Sequence, residues 1–112
     1  MAVLTGLAFD IDDIAIKWIV SEFNTQLMSN LLYDYRVHDR QTFIKFLDLL
    51  RRDLLNNQTE WENKTLPEFL EALSAYTEDV QGYYENQKLD VDADIPTWQL
   101  FADLFKGAKI YE

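Results

Sequence analysis

The residues best equipped for chemistry stand at the start of the chain, in Ala2–Asp13, "AVLTGLAFDIDD", where an apolar run leads into Asp10-Ile11-Asp12-Asp13. A Mg²⁺-dependent phosphatase presents such an Asp-x-Asp pair from a strand. One carboxylate attacks phosphorus and the other serves the leaving group, and a phosphate-binding hydroxyl or lysine and further carboxylates complete the site. This chain departs from that pattern. Asp13-Ile14 follows Asp12 where a small glycine and a hydroxyl residue are usual, and the remaining sequence has the helical period with no later strand. Helix capping accounts for the same residues: Asp10 as N-cap, with Asp12 and Asp13 in a first turn where N–H groups lack partners and the dipole end is positive.

The other reactive side chains are scattered. His38 is the single histidine and stands between Val37 and Asp39 in an expected loop, with no further imidazole or thiolate to complete a zinc site. Asp90, Asp92 and Asp94 alternate as in a Ca²⁺ loop, but the sixth position is Ile95 and the twelfth Phe101, where such a loop needs Gly and Glu. The chain has no cysteine, no glycine-rich phosphate loop and none of the Glu-x-x-His pairs of di-metal bundles. No catalytic, cofactor-binding or metal residue is therefore assigned, and the chain is expected not to be an enzyme. A carboxylate-dependent metal hydrolase, resting on the many carboxylates and His38, stands as a remote alternative.

Elements that would position these residues are read from periodicity. Val3, Leu4, Leu7 and Phe9 suit a short strand or a packed apolar arm. Ile11, Ile14, Ala15, Trp18, Ile19, Phe23, Leu27 and Leu31 predict a helix ending near Leu32–Tyr35. A second helix is expected after Asp39 as N-cap, with Phe43, Ile44, Phe46, Leu47, Leu50, Leu54 and Leu55 on its core face, an Asp48–Arg52 pair outside and Asn56-Asn57 at its end. Thr65-Leu66-Pro67-Glu68 predicts a capping box opening a third helix, its face formed by Leu66, Phe69, Leu70, Leu73, Tyr76, Thr77, Val80 and Tyr84. Residues 87–95 read as a loop. Trp98, Leu100, Phe101, Leu104, Phe105 and Ala108 suggest a fourth helix, with Gly107 as a late cap and Lys109 near its negative end. The expected fold is all-α: one domain over residues 1–112, a compact bundle of about four helices with a short N-terminal arm or strand.

At 112 residues and 48% hydrophobic, the chain can build one core. No run of about 18 apolar residues and no signal-peptide pattern is seen, so a cytoplasmic protein without a membrane span is expected. A formal net charge of -10 repels phosphate backbones and argues against nucleic acid as partner. The charge is segregated. Residues 57–96 carry ten acids against two lysines, a balance of -8, while residues 36–56 carry five cations against three acids, a balance of +2. Either the basic helix packs near the acidic one and relieves it, or the acidic face steers a basic partner.

"TEWENKTLPEF", Thr59–Phe69, is the most distinctive segment. Trp61 either packs on Leu66, Phe69 or Leu70 at the helix entry, or joins Tyr83 and Tyr84 in an exposed aromatic patch inside an acidic surround. In the second case Trp61, Glu62, Glu78, Asp79, Tyr83 and Tyr84 are the candidate partner-binding residues. From Asp39 onward the chain resembles a family of small uncharacterised bacterial helical proteins, a domain of unknown function. The resemblance lies in Phe43-Ile44-Lys45-Phe46-Leu47, Trp61-Glu62-Asn63-Lys64-Thr65-Leu66, Phe69-Leu70-Glu71-Ala72-Leu73, Tyr83-Tyr84, Trp98, Phe101-Ala102 and Ala108-Lys109-Ile110-Tyr111-Glu112. It covers about residues 39–112 and implies a small standalone helical domain without implying a catalytic role. Residues 1–37 fall outside it. Two readings follow: a noncatalytic, acidic protein-interaction module, inhibitor- or immunity-like, with a basic protein partner; or a structural or accessory homodimer joined through the Met1–Tyr35 region.

Overall fold

A computed structural model describes residues 31–112 of the chain. The expected N-terminal arm or strand, the Asp10 cap and the Asp-x-Asp segment lie outside the described residues. The described chain is all-α. A helical stretch covers residues 31–34, and three helices follow: α1, Arg40–Asn56; α2, Leu66–Asn86; and α3, Trp98–Ala108. These are the four helical segments expected, with one unforeseen 3₁₀ turn, Gln58–Glu60, between α1 and α2.

Each helix start follows from its own residues. Asp39 Oδ1 accepts from the Thr42 backbone N–H at 2.8 Å while Thr42 Oγ1 accepts from the Asp39 N–H at 3.1 Å, so threonine completes the α1 capping box. Thr65 and Glu68 form the expected reciprocal box on α2, with Pro67 in the first turn. Thr97 caps α3 through the Leu100 N–H. The end of α2 is a Schellman motif: Leu89 N–H donates to the Tyr84 carbonyl and Lys88 N–H to that of Glu85, with Lys88 at φ 58° in the place usually taken by glycine.

The core has two parts, and α3 belongs to both. Leu32, Val37, Phe46, Leu50, Trp61 and Ala102 form the first, while Val80, Tyr84 and Leu100 form the second. Aromatic rings run across the first: Phe43 lies 6.0 Å from Phe105, Phe105 6.0 Å from Phe69, and Phe69 stacks on Trp61 at 6.1 Å. Among the described residues, the 11-residue α3 covers only a strip of each neighbour, and both longer helices bury less than their apolar patterns suggest. Ile44, Leu47 and Leu55 of the expected α1 face are exposed, and Leu49 packs inward instead. On α2, Leu66, Leu70 and Thr77 are exposed, and Ala72 is buried.

Gly107 does not end α3. It lies inside the helix, and the Tyr76 ring occupies the space of its missing side chain: a Cβ there would stand 2.1 Å from Tyr76 Cε2. Lys109 likewise does more than face a helix dipole. Its ammonium is buried and lies 2.8 Å from Asp53 Oδ2 on α1, where both side chains are almost wholly hidden from solvent. Trp61 Nε1 donates to the same Asp53 oxygen at 2.8 Å and Asn57 Nδ2 to Oδ1 at 2.7 Å. The Lys109 carbonyl accepts from the N–H groups of Glu62 and Asn63, and Asn63 Nδ2 donates to the carbonyls of Ala108 and Tyr111. One cluster therefore joins the end of α1, the entry to α2 and the end of α3.

This packing makes the two helical glycines differ in sign. A methyl group added at Gly82 would meet nothing within 4 Å, so Gly82→Ala should stabilise the chain by about 0.5–1 kcal/mol, whereas Gly107→Ala should destabilise it by about 1–3 kcal/mol; urea unfolding checks both signs. Lys109→Met and Asp53→Asn should each cost about 3–5 kcal/mol in the same measurement, because each removes one member of a buried ion pair.

Candidate functional site

A tyrosine-lined concave site lies between α2 and the second half of α3. It is a cavity of about 580 Å³, within the size range of small-molecule sites, about 300–1,000 Å³. Five of the chain's six tyrosines line it: Tyr33, Tyr76, Tyr83, Tyr84 and Tyr111. The Tyr76 ring sits among them, 5.1 Å from Tyr111 and 6.3 Å from Tyr83, in the room left by Gly107. Arg36, Asp103 and Lys106 are the charged groups of the wall.

Asp103 organises the polar side of the cavity. Its Oδ2 accepts from the Tyr84 hydroxyl at 2.7 Å, and its Oδ1 accepts from Gln99 Nε2 at 2.8 Å and faces Lys106 Nζ at 3.4 Å. Gln99 in turn accepts from the Val37 N–H, which ties the segment before α1 to this wall. At the rim the Tyr111 hydroxyl donates to Asp79. Burial pushes the Tyr76 phenol up to about 12, helped by Tyr83, Asp103 and Tyr111 nearby. Burial and the hydrogen bond to Asp103 raise Tyr84 further, and the bond to Asp79 raises Tyr111. All three therefore remain neutral phenols at neutral pH.

The candidate partner-binding residues do not form one patch. Trp61 is buried against Phe69 and bonded to Asp53, so the packing alternative describes it and the exposed-patch alternative does not. Tyr84 is also buried, held by Asp103. Tyr83 is exposed at the cavity edge, Asp79 is exposed beside Tyr111, and Glu78 is exposed on α2. Glu62 is exposed near the Lys109 carbonyl, on the Trp61 side of the molecule. Tyr76, Asp103 and Lys106 are absent from the sequence-derived set. The helical period places Tyr76 on an apolar face, and no local signal relates it to Tyr111 or to Gly107.

The charge segregation is not relieved by packing of α1 on α2. Both helices pack on α3, and Arg51 and Arg52 pair with Asp48 of their own helix at 3.3 and 2.8 Å. Among the described residues no ion pair reaches a carboxylate of α2. Asp92 and Asp94 of the following loop form a local turn, in which Asp92 Oδ1 accepts from the Asp94 N–H at 2.9 Å. Gln81 fastens that loop to α2 through the Val91 carbonyl and the Ala93 N–H. His38 is exposed beside Asp39. Among the described residues no three His, Cys, Asp or Glu side chains converge on a common point, and no helix is long and apolar enough to cross a membrane.

The shared core and the tyrosine cavity both lie largely within residues 39–112, the range over which the model of a family of unknown function (DUF7660) matches the chain. The chain belongs to that family. The family description carries no activity, and its range begins at the Asp39 cap of α1. No curated protein and no solved structure matches the chain.

The raised phenols set an alkaline limit on stability. A group whose folded pKa lies above its unfolded value contributes fully below the unfolded value and ceases to contribute as pH rises through the folded one. Tyr76 places that loss between pH 10.0 and about 12. Lys109 acts in the same direction from 10.5 upward: burial opposes its charge, but the bonds to Asp53 and Tyr33 outweigh that effect. Urea midpoints should fall across this window as phenolate absorbance rises. At neutral pH Tyr84→Phe should cost about 1.5–3 kcal/mol, the usual range for a hydrogen bond to a charged group.

Proposed function

We propose that the chain is a noncatalytic protein-interaction module that presents the carboxylates of α2 to a basic protein partner. The observation that carries this reading is the stripe Glu71, Glu78 and Glu85. These residues repeat every seven positions, are all exposed, and have no ion-pair partner among the described residues. Seven residues of helix rise about 10 Å, so the stripe offers three regularly spaced charges on one face. Asp79 and Tyr83 flank it, and a partner contacting both would meet charge beside an aromatic ring. Such a surface raises the encounter rate with a cationic protein and disfavours acidic competitors. A second reading, a homodimer through residues 1–35, is favoured by the exposed Leu31 and Tyr33 at the described end of that region.

A triple charge reversal, Glu71→Lys with Glu78→Lys and Glu85→Lys, separates the two readings. All three positions are exposed, so the variant should keep the helical circular dichroism of the parent. In affinity capture from lysate at about 0.15 M salt, the parent should retain proteins of high isoelectric point that the variant loses. Retention of the same proteins by both, or of none by the parent, rejects the basic-partner reading. A light-scattering mass of twice 13.2 kDa for both chains supports the homodimer.

A further inference from the structure

The wall of the tyrosine-lined cavity carries more cations than acids, with Asp79 and Glu78 near its Tyr111 rim. Acids outnumber cations twofold in the sequence, yet the cavity wall holds two cations and one acid. That acid is already engaged: both oxygens of Asp103 are occupied by Tyr84, Gln99 and Lys106. The remaining hydrogen-bonding capacity consists mainly of donors. The hydroxyls of Tyr76 and Tyr83 and the guanidinium of Arg36 have no hydrogen-bond partner among the described residues. Lys106 directs an ammonium with three N–H groups at a single oxygen. The rest of the wall is flat and apolar, built from tyrosine rings with Leu89 and Ile110.

We propose that this cavity binds a small planar organic acid, with its ring between the tyrosines and its carboxylate held by Arg36 and the free phenol hydroxyls. A guanidinium offers a planar fork that matches a carboxylate, and tyrosine faces suit an aromatic body. One negative charge suits the wall better than two, since Lys106 is already partly neutralised by Asp103 and a phosphate dianion would carry a further charge into a chain of net charge -10. The high pKa of Tyr76, about 12, keeps its hydroxyl a donor throughout the neutral range. The glutamates of the α2 stripe do not line the cavity, although Tyr83 borders both surfaces.

The probes are benzoate and indole-3-carboxylate, each paired with its uncharged amide, titrated into the full chain and followed by heteronuclear NMR. Saturable shifts are expected at Tyr76, Tyr83, Gly107 and Lys106. Each acid should bind at least about tenfold more tightly than its amide, a difference of about 1.4 kcal/mol. Arg36 is exposed and outside the core, so Arg36→Gln should leave the fold intact, abolish the preference for acid over amide, and leave amide binding unchanged. Tyr83→Ala should weaken acid and amide alike. Equal binding of acid and amide by the parent chain, shifts confined to other surfaces, or no saturation with either acid would overturn the proposal.

Discussion

The buried pair of Asp53 and Lys109 is the constraint around which the rest of the chain is arranged. Removing two charges from water is costly, and their attraction compensates only when other groups satisfy the remaining valences. Asn57 and Trp61 donate to the carboxylate, and the ammonium lies 4.9 Å from the centre of the Tyr33 ring. These groups come from α1, the 3₁₀ region, the entry to α2, the residues before α1 and the end of α3. None can move far without stranding a buried charge, so the pair fixes where the two chain-distant ends meet.

With its end fixed there, α3 serves as the common surface for α1 and α2. Its residues alternate between the two cores: Leu100 packs with Val80 and Tyr84, and Ala102 with Phe46 and Leu50. A helix of 11 residues cannot cover two helices of 17 and 21, and among the described residues apolar side chains remain at the surface on both. The packing of both on α3 explains why the opposite charges of α1 and α2 do not neutralise each other. Each helix meets α3 through its apolar face and turns its charged face outward, so the acidic stripe of α2 and the cations of α1 are presented separately to solvent.

The tyrosine cavity is a consequence of the same arrangement. Gly107 lets the Tyr76 ring approach the α3 backbone, and the chain beyond α3 brings Tyr111 against that ring and its hydroxyl to Asp79. Asp103, one helical turn before Gly107, draws Tyr84 and Lys106 to the other wall. The cavity is thus assembled by helix α3 and the residues that follow it, the part of the chain whose position the Asp53–Lys109 pair determines.

The sequence by itself determined helices α1 to α3 and the N-caps of the first two. Asp39 and the Thr65–Glu68 box act on N–H groups three residues away, and apolar spacing at the helical period identifies a buried face, so these signals are complete within a few residues. It also determined the charge segregation and the family resemblance from Asp39 onward. Only the tertiary structure decided which partners distant residues would find. Lys109 read as a cation at a helix end because its carboxylate lies 56 positions earlier, and Gly107 read as a cap because the ring that requires it belongs to Tyr76 on another helix. Trp61 and Tyr84 each admit a core and a patch reading, since an aromatic side chain with a polar group serves either once a partner is supplied. Periodicity states that a helix has a buried face; it does not state which helix will cover it, and the cavity, the buried ion pair and the exposed stripe all depend on that choice.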